Sequence, residues 1–445
     1  MQQKRRSWMG IVLASLIVLF SLSPLMRSFY ALPAAFKVSV GEQLGLDLQV
    51  PQYLLNSFNV EIKTIPENLL NIDKKGINSL ESFLQPDNRP RINKPGQINL
   101  KLKLFGLIPL KNLNVDVVEE IKLFPGGHAI GVLLKTQGVM VVGYSPVISQ
   151  GKSHLPAKKA GLEIGDIIRE INHNPVSSDE EALKLIHELG QKGTPITFLI
   201  QRNQDQIVIP VNPVYCQETG RYRVGLYIRD SAAGVGTLTF YEPNTRIYGA
   251  LGHVIADAET NHQIAKGEGK IINASIQGIQ QARRGQPGEK IGIFTDSQII
   301  LGDIQKNTEA GIFGRLLSHL DNELYPHPVP VAFAQQVETG PARILTVVDN
   351  EKIESFSIEI TKIVPQRLPN GKNLVIQITD SRLLSLTGGI IQGMSGSPII
   401  QKNRLVGAVT HVFVNEPTKG YGILAEWMLT ETGLLQRDDK NQGAA

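Results

Sequence analysis

The sequence has little of several things that would point to particular classes of protein. Its 445 residues include one cysteine, Cys216, which excludes an internal disulfide and a cysteine-rich metal site. Nothing around Cys216 is typical of a reactive thiol. The formal net charge is only +4, and no basic stripe is interleaved with aromatic residues, so we expect no nucleic-acid partner. With 42% hydrophobic residues and 42 glycines, the chain is instead typical of a globular, turn-rich protein.

Charge is missing altogether from the segment 7–26, which follows the basic cluster Lys4, Arg5 and Arg6. At about 20 residues, the segment has the length that a helix needs to cross a bilayer. The basic cluster predicts that the N-terminus stays in the cytoplasm while the rest is exported. We therefore predict a transmembrane anchor at 7–26. A cleavable signal peptide, with a small-residue site at Ala31–Ala35, is the alternative.

The region 36–120 has apolar and polar residues in alternation and predicts a β-rich N-terminal region. It contains no chemical motif. The polar, proline-rich stretch 85–97 predicts a surface loop or linker, which is where proteolytic nicking is easiest.

The region 125–213 resembles a PDZ domain of the kind found in exported bacterial proteases. The residues that carry the resemblance are Ala160-Gly161-Leu162, Gly165-Asp166-Ile167-Ile168 and Ile171-Asn172. A helix is predicted from Glu180, capped by Asp179 or Ser178.

A PDZ domain binds an extended peptide as an added strand and holds its carboxylate in a loop. By the resemblance, that loop is Ile130, Gly131 and Val132. The resemblance also places four side chains on the helix that borders the groove: Leu183, Ile186, His187 and Leu189. A docking surface with no free peptide ligand is the alternative.

The region 214–435 consists of many short β-like runs separated by glycine, which predicts an all-β barrel or sandwich. Near its end lies GMSGSP, in which Gly393 and Gly396 bracket Ser395. A serine hydroxyl needs a base to become nucleophilic, and the attacked carbonyl needs backbone N–H groups for its oxyanion. The two glycines permit a bend in which the amides of Gly393 and Ser395 converge. GMSGSP resembles the nucleophile loop of chymotrypsin-like serine proteases.

Other arrangements fit this sequence worse. An α/β-hydrolase elbow needs glycine where Ser397 stands, and it needs Asp and then His after the serine. No phosphate-binding loop ending in Gly-Lys-Ser/Thr is present. A metal site of His253, Asp257 and His262 has a spacing that matches no familiar ligand pattern.

The base is predicted at His253, which follows an apolar strand at the start of the third region. The orienting acid is harder to choose. The candidates between base and serine are Asp257, Asp296, Asp303, Asp349 and Asp380. Asp380 ends an apolar run where a strand could hold a partly buried acid, and Asp303 is the alternative.

Taken together, the apolar N-terminal segment, the PDZ-like region, LGHVIAD, GMSGSPII and VGAVTHVFV resemble the stage IV sporulation protein B peptidase family. The resemblance implies that His253, Asp380 and Ser395 are base, acid and nucleophile, with the amides of Gly393 and Ser395 as oxyanion hole. It also implies a mainly β fold, in which a PDZ domain at 125–213 precedes a chymotrypsin-like double β-barrel at 214–435.

By the same resemblance the protein is a signalling serine endopeptidase of sporulation that needs no cofactor or metal. It would be exported, cleave itself near its N-terminal region, and cut a membrane-bound regulator between the two forespore membranes, which triggers sigma-factor processing. A non-catalytic PDZ adaptor of the cell envelope is the alternative, and a metalloprotease is a third class.

Overall fold

The computed structural model describes residues 15, 18, 21–46, 48, 50–71, 79–203, 205–256, 269–293, 299–364 and 371–435. The anchor predicted at 7–26 lies largely outside these residues. Inside them, no helix is both long and apolar enough to cross a membrane. The chain divides into two compact units, Met1–Ile121 with Pro330–Val337 and Lys122–Val329 with Glu338–Ala445.

The first unit contains a four-stranded sheet in the order β1-β6-β5-β2. Its strands are β1 (Ala35–Ser39), β2 (Phe58–Ile65), β3 (Leu70–Asn71), β4 (Arg91–Ile92), β5 (Gly96–Leu104) and β6 (Ile108–Val118). Its helices are α1 (Pro24–Ala31) and α2 (Glu81–Leu84), with 3₁₀ turns at Gln52–Ser57, Pro86–Asn88 and Ala334–Gln336. Ile98, Leu100 and Leu102 of β5 are buried at every second position, because alternate side chains of a strand point to the same face.

The stretch 85–97, predicted as a surface loop or linker, contains a 3₁₀ turn and the short strand β4. Leu70 pairs with Ile92 in a short β3–β4 ladder, and Ile92 is fully buried. The prediction missed this because one buried isoleucine among polar residues gives no periodic signal.

The second unit begins with β7 and contains the remaining elements. Up to the PDZ-like region these are β7 (Lys122–Pro125), β8 (Ala129–Tyr144), β9 (Val147–Ser149), β10 (Lys152–His154), α3 (Pro156–Ala160), β11 (Ile167–Ile171), β12 (Asn174–Pro175), α4 (Asp179–Gly190), β13 (Ile196–Arg202) and β14 (Asp205–Val211). Then follow β15 (Val214–Cys216), β16 (Arg221–Arg223), β17 (Leu226–Tyr241), β18 (Ile247–Ala250), β19 (Gly269–Asn273), β20 (Ser275–Gln280), β21 (Glu289–Ile293), β22 (Ile300–Ile304), β23 (Lys306–Thr308), β24 (Gly311–Arg315) and β25 (Val329–Pro330). The last are β26 (Gly340–Val347), β27 (Ile353–Ile363), β28 (Leu374–Ile378), α5 (Ser381–Thr387), β29 (Pro398–Gln401), β30 (Arg404–Val412), β31 (Lys419–Leu424) and α6 (Ala425–Thr432).

The PDZ-like part is stabilised by a buried ion pair. Asp166 follows the left-handed Gly165 and is only 1% exposed. Its two oxygens accept bonds from Arg202 Nε at 2.7 Å and Nη2 at 2.8 Å, a bidentate geometry that offsets the cost of burial. Helix α4 begins one residue earlier than predicted, because the Ser178 hydroxyl caps it by accepting the Glu181 amide.

The prediction of a loop that holds a peptide carboxylate is wrong. Ile130, Gly131 and Val132 lie inside strand β8, where β17 pairs with them on one side and β19 on the other. A strand hydrogen-bonded along both edges has no free amides for a carboxylate. The prediction rested on a local match of the sequence, whereas the partner strands β17 and β19 come from distant parts of the chain.

The peptidase-like part contains two barrels and, outside them, the two-stranded sheets β15–β16 and β20–β21. In the first, β19, β8, β17, β18 and β24 are neighbours in turn, β22 pairs with β19, and the bridge Gly302–Leu316 lies between β22 and the end of β24. The second is a closed barrel in the order β26-β27-β28-β31-β30-β29. The predicted mainly β fold with a double barrel is therefore confirmed.

Candidate active site

The loop that carries Ser395 joins α5 to β29 of the second barrel and has the bend that the glycines predicted. Gly393 and Gly396 have φ angles of 91° and 93°, a region that residues with a β-carbon rarely adopt. A β-carbon at Gly396 would lie 2.0 Å from the carbonyl oxygen of Thr237, so no larger residue fits. We call residues 393–397 the nucleophile loop.

Strand β17 of the first barrel holds this loop from one side. The Thr237 amide donates to the Ser395 carbonyl at 2.9 Å, and the Thr237 hydroxyl donates to the Gly393 carbonyl at 2.7 Å. The buried Thr239 hydroxyl donates to the Gly396 carbonyl at 2.8 Å. These bonds fix the carbonyls on one side of the loop. By contrast, the amides of Gly393 and Ser395 donate to no other residue in the described part of the chain.

The two serines of the loop differ in access. Ser395 is half-buried, and its hydroxyl donates to the Thr410 carbonyl at 2.7 Å. Ser397 is fully buried, and its hydroxyl has no partner among the described residues. Only Ser395 can meet a substrate without opening the fold.

His253 lies just beyond a strained turn that follows β18. Leu251, with φ 67°, and Gly252, with φ 72°, are both left-handed, and such a leucine costs about 1–3 kcal/mol. The His253 Nδ1 lies 2.8 Å from the Val254 carbonyl. A carbonyl can only accept, so Nδ1 carries the proton and Nε2 keeps the lone pair that a general base needs.

The fold brings the histidine turn and the nucleophile loop together. The backbone of Leu251 lies directly against Gly396, where a β-carbon would be 2.5 Å from the Leu251 amide nitrogen. A β-carbon at Gly252 would be 2.9 Å from a methyl of Thr410, the residue whose carbonyl accepts the serine hydroxyl. His253 and Ser395 share no hydrogen bond in this structure.

A second imidazole, which sequence reasoning did not assign to the site, lies beside the first. The ring of His411, on β30 directly after Thr410, is 5.1 Å from that of His253, centroid to centroid. Partial burial and the charges of His253 and Lys372 lower the pKa of His411 to about 4. Burial also lowers the pKa of His253, although the Val254 carbonyl and the charge of Glu309 act against it. Both imidazoles are therefore neutral at pH 7.

Asp380 and His253 share no hydrogen bond in the structure. The Asp380 carboxylate caps α5, accepting the Leu383 amide at 3.1 Å and the Ser357 amide at 3.2 Å. Burial pushes the pKa of Asp380 up, but these backbone bonds outweigh it and the pKa lies below its usual value.

The other candidate acids either accept hydrogen bonds from groups other than His253 or lie outside the described residues. The Asp303 carboxylate accepts the Arg315 amide at 2.6 Å and Gln305 Nε2 at 2.8 Å. Asp349 accepts from the side chain of Asn350. Asp257 and Asp296, like His262, lie outside the described residues.

Glu309 is the acid whose charge acts on His253. It lies on the turn between β23 and β24, and β24 pairs with β18, the strand that leads to the histidine. Asn307 of the same hairpin holds Ile255 by two bonds, accepting its amide at 2.8 Å and donating to its carbonyl at 2.9 Å. The sequence position of Glu309, between His253 and Ser395, was the one signal that could have identified it as a candidate acid. A glutamate in a turn is too common for that signal to be noticed.

No group of three or more His, Cys, Asp or Glu side chains within the described ranges is arranged to hold a metal ion. The arrangement that does exist is a serine on a constrained loop beside a neutral histidine, between two β-barrels. This fold and site define a double-barrel serine peptidase with a PDZ domain.

The family comparisons agree. The family model described as SpoIVB peptidase S55 matches residues 220–429, and the PDZ domain model matches residues 129–212. Residues 220–429 therefore match the peptidase family that the sequence resembles.

Individual relatives are distant. A curated protein of Treponema pallidum (strain Nichols), named "Putative zinc metalloprotease", is 24% identical over 170 residues, which are 35% of this chain and 37% of that protein. The chain thus matches little more than a third of this relative's length.

Among solved structures, the active form of the Rv3671c protease from M. tuberculosis is 15% identical, with 45% of this chain and 75% of that chain covered and a TM-score of 0.25. The PDZ domain of an SdrC-like protein from Listeria monocytogenes is 22% identical, with 21% and 87% covered and a TM-score of 0.17. At these TM-scores neither structure bears on what this chain does.

Proposed function

We propose that this protein is a serine endopeptidase in which Ser395 attacks a peptide carbonyl. The observation that carries the proposal is the nucleophile loop. Its one accessible hydroxyl lies beside the turn of a neutral histidine, and the two amides predicted as oxyanion hole have no other partner among the residues that the structure describes. Free, preorganised amides at such a point stabilise the charge that develops in the transition state.

In the proposed mechanism the Ser395 hydroxyl leaves the Thr410 carbonyl and gives its proton to Nε2 of His253 as its oxygen attacks. The amides of Gly393 and Ser395 hold the oxyanion, His253 protonates the leaving amine, and water then releases the acyl group. Catalytic hydrogen bonds are often longer in the free enzyme and form only when substrate is present.

We keep Asp380 as the proposed orienting acid on the strength of the family resemblance. Its carboxylate would have to exchange the Leu383 and Ser357 amides for His253. Asp380→Asn separates the two roles, because Asn caps helices as well as Asp does but carries no charge. An orienting role predicts a loss of about 10⁴-fold in rate. Asn keeps one acceptor for the Leu383 amide but leaves the Ser357 amide without one, so we expect a loss of stability of about 1–3 kcal/mol in either case. A change of only a few fold would leave the residue as a helix cap and favour Glu309.

The closing test of the chemistry is covalent labelling of the full chain with a fluorophosphonate probe, followed by peptide mapping. We expect modification at Ser395, none in Ser395→Ala, and retained modification in Ser397→Ala as the matched control. An unlabelled folded wild-type protein, or label that persists in Ser395→Ala, would overturn the proposal. An unlabelled protein is also what the adaptor alternative predicts.

We further propose the biological role that the resemblance implies. The enzyme would be exported through the segment 7–26, cleave its own N-terminal region, and cut a membrane-bound regulator between the two forespore membranes during sporulation. Mass spectrometry of the N-terminus of wild-type and Ser395→Ala protein recovered from sporulating cells tests this. The proposal requires a shortened wild-type chain and an uncut variant, and equal lengths would contradict self-cleavage.

A further inference from the structure

The hairpin β20–β21, which forms a two-stranded sheet of its own, contains a buried lysine that the proposed mechanism does not use. Lys290 of β21 is only 4% exposed, and its amine donates to the Thr346 hydroxyl of β26 at 2.7 Å. Burial lowers its pKa to about 7. A lysine this deeply buried normally has a carboxylate partner, because burying an ammonium group costs several kcal/mol. Among the described residues, the hydrogen-bond partner of this amine is a neutral hydroxyl.

The aliphatic part of Lys290 supports the nucleophile loop directly. A β-carbon at Gly393 would lie 3.0–3.2 Å from three carbons of the lysine side chain, so the lysine occupies the space that a side chain there would need. The backbones are joined as well, since the Lys290 amide donates to the Gln392 carbonyl at 3.0 Å and the Gln392 amide donates to the Gly288 carbonyl at 2.8 Å. Gly393 in turn carries one of the two amides proposed for the oxyanion.

We infer that Lys290 is a positioning residue for the nucleophile loop, whose stem supports Gly393 and whose amine fixes that stem to Thr346. Strand β17 of the first barrel bonds to the loop carbonyls, and Lys290 of the hairpin β20–β21 packs against Gly393 and bonds to Thr346 of the second barrel. A methionine would fill the same space without a buried amine. Violations of the usual burial rules occur at functional sites, where a fixed geometry offsets their cost. The inference rests on the proposed function.

Lys290→Met tests it, because this substitution keeps most of the stem and removes only the amine. We expect the variant to melt at the same or a higher temperature than wild type, yet to react with the fluorophosphonate about tenfold to a hundredfold more slowly. Misplacing a reacting group by an ångström has effects of this size. Hydrogen exchange of peptides that cover 391–397 should become faster. A residue with only a structural role would not raise stability while slowing the reaction.

Three further variants complete the experiment. Thr346→Val should slow labelling as Lys290→Met does, whereas Thr346→Ser, which keeps the hydroxyl, should recover most of the rate. Lys270→Met, an exposed lysine of β19, is the matched control and should react like wild type.

Wild-type labelling and exchange in Lys290→Met would overturn the inference, as would a loss of rate that only follows a loss of stability. If wild-type protein is not labelled at all, the proposed function fails, but the exchange at 391–397 still decides whether Lys290 positions the loop.

Discussion

The larger unit has a peptidase half and a PDZ half that share strand β8, and the predicted sites of the two halves differ in access. In the peptidase half, the Ser395 hydroxyl is half-buried and two neighbouring amides are free among the described residues. In the PDZ half, the chain covers its own helix, since the Tyr222 amide donates to Nδ1 of His187 at 3.2 Å and the Tyr222 ring lies against Gly190. The comparison suggests that a small probe can reach the first site directly, whereas a peptide on α4 must first displace the hairpin β15–β16.

The largest expected effect separates chemistry from stability in the peptidase half. His253→Ala should lower the labelling rate by about 10³- to 10⁶-fold, because it removes the proposed base for the serine proton. Ser395→Ala with His253→Ala should be no worse than Ser395→Ala alone. Self-cleavage and labelling measured side by side check this. An active His253→Ala would transfer the role of base to His411, its neighbour at 5.1 Å.

The reverse pattern is expected in the PDZ half. Asp166→Asn leaves the Arg202 guanidinium without its buried partner and should lower the free energy of unfolding by about 3 kcal/mol. Glu163→Gln removes the exposed partner of the same arginine and should cost less than about 1 kcal/mol. Urea denaturation measures both. Under native conditions the labelling rate of Ser395 should stay at the wild-type value, and a large drop would show that the halves are energetically coupled.

A smaller effect tests whether the hairpin covers α4. Gly190→Ala places a β-carbon 2.4 Å from Cβ of Tyr222, which should displace the hairpin at a cost of about 1–3 kcal/mol. Cys216, the single cysteine, is buried in this hairpin and reports on it. We expect a maleimide to react faster with Cys216 in Gly190→Ala than in wild type. Gly234→Ala, where a β-carbon meets nothing, is the control. Equal reactivity in all three proteins would mean that the hairpin opens independently of this contact.

The difference between the halves also shows what the sequence alone could predict. Ser395, Gly393 and Gly396 could be recognised because a bend with left-handed glycines is a local property of a few residues. The start of helix α4 was predicted to within one residue for the same reason, with Ser178, which caps it, named beside Asp179 as a candidate cap. Whether Ile130–Val132 form a loop or a strand depends on pairing with strands about 100 and 140 residues away, and no local sequence pattern predicts that pairing. The sequence did not identify Lys290 or Glu309 for the same reason. Each belongs to the site because its segment, β21 or the turn before β24, contacts segments that are distant in the chain.

The smallest expected effect is a change in pH dependence. Labelling requires neutral His253, so the rate should fall as the pH drops through the pKa of this residue, which burial keeps below its ordinary value of 6.5. The charge of Glu309 raises this pKa by favouring the protonated ring. Glu309→Gln should therefore move the acid limb of the pH–rate profile to lower pH, while Glu163→Gln in the PDZ half should leave it in place. Rates measured between pH 4 and pH 8 for the three proteins decide the point, because a limb that stays fixed or moves to higher pH would mean that Glu309 does not act on the base.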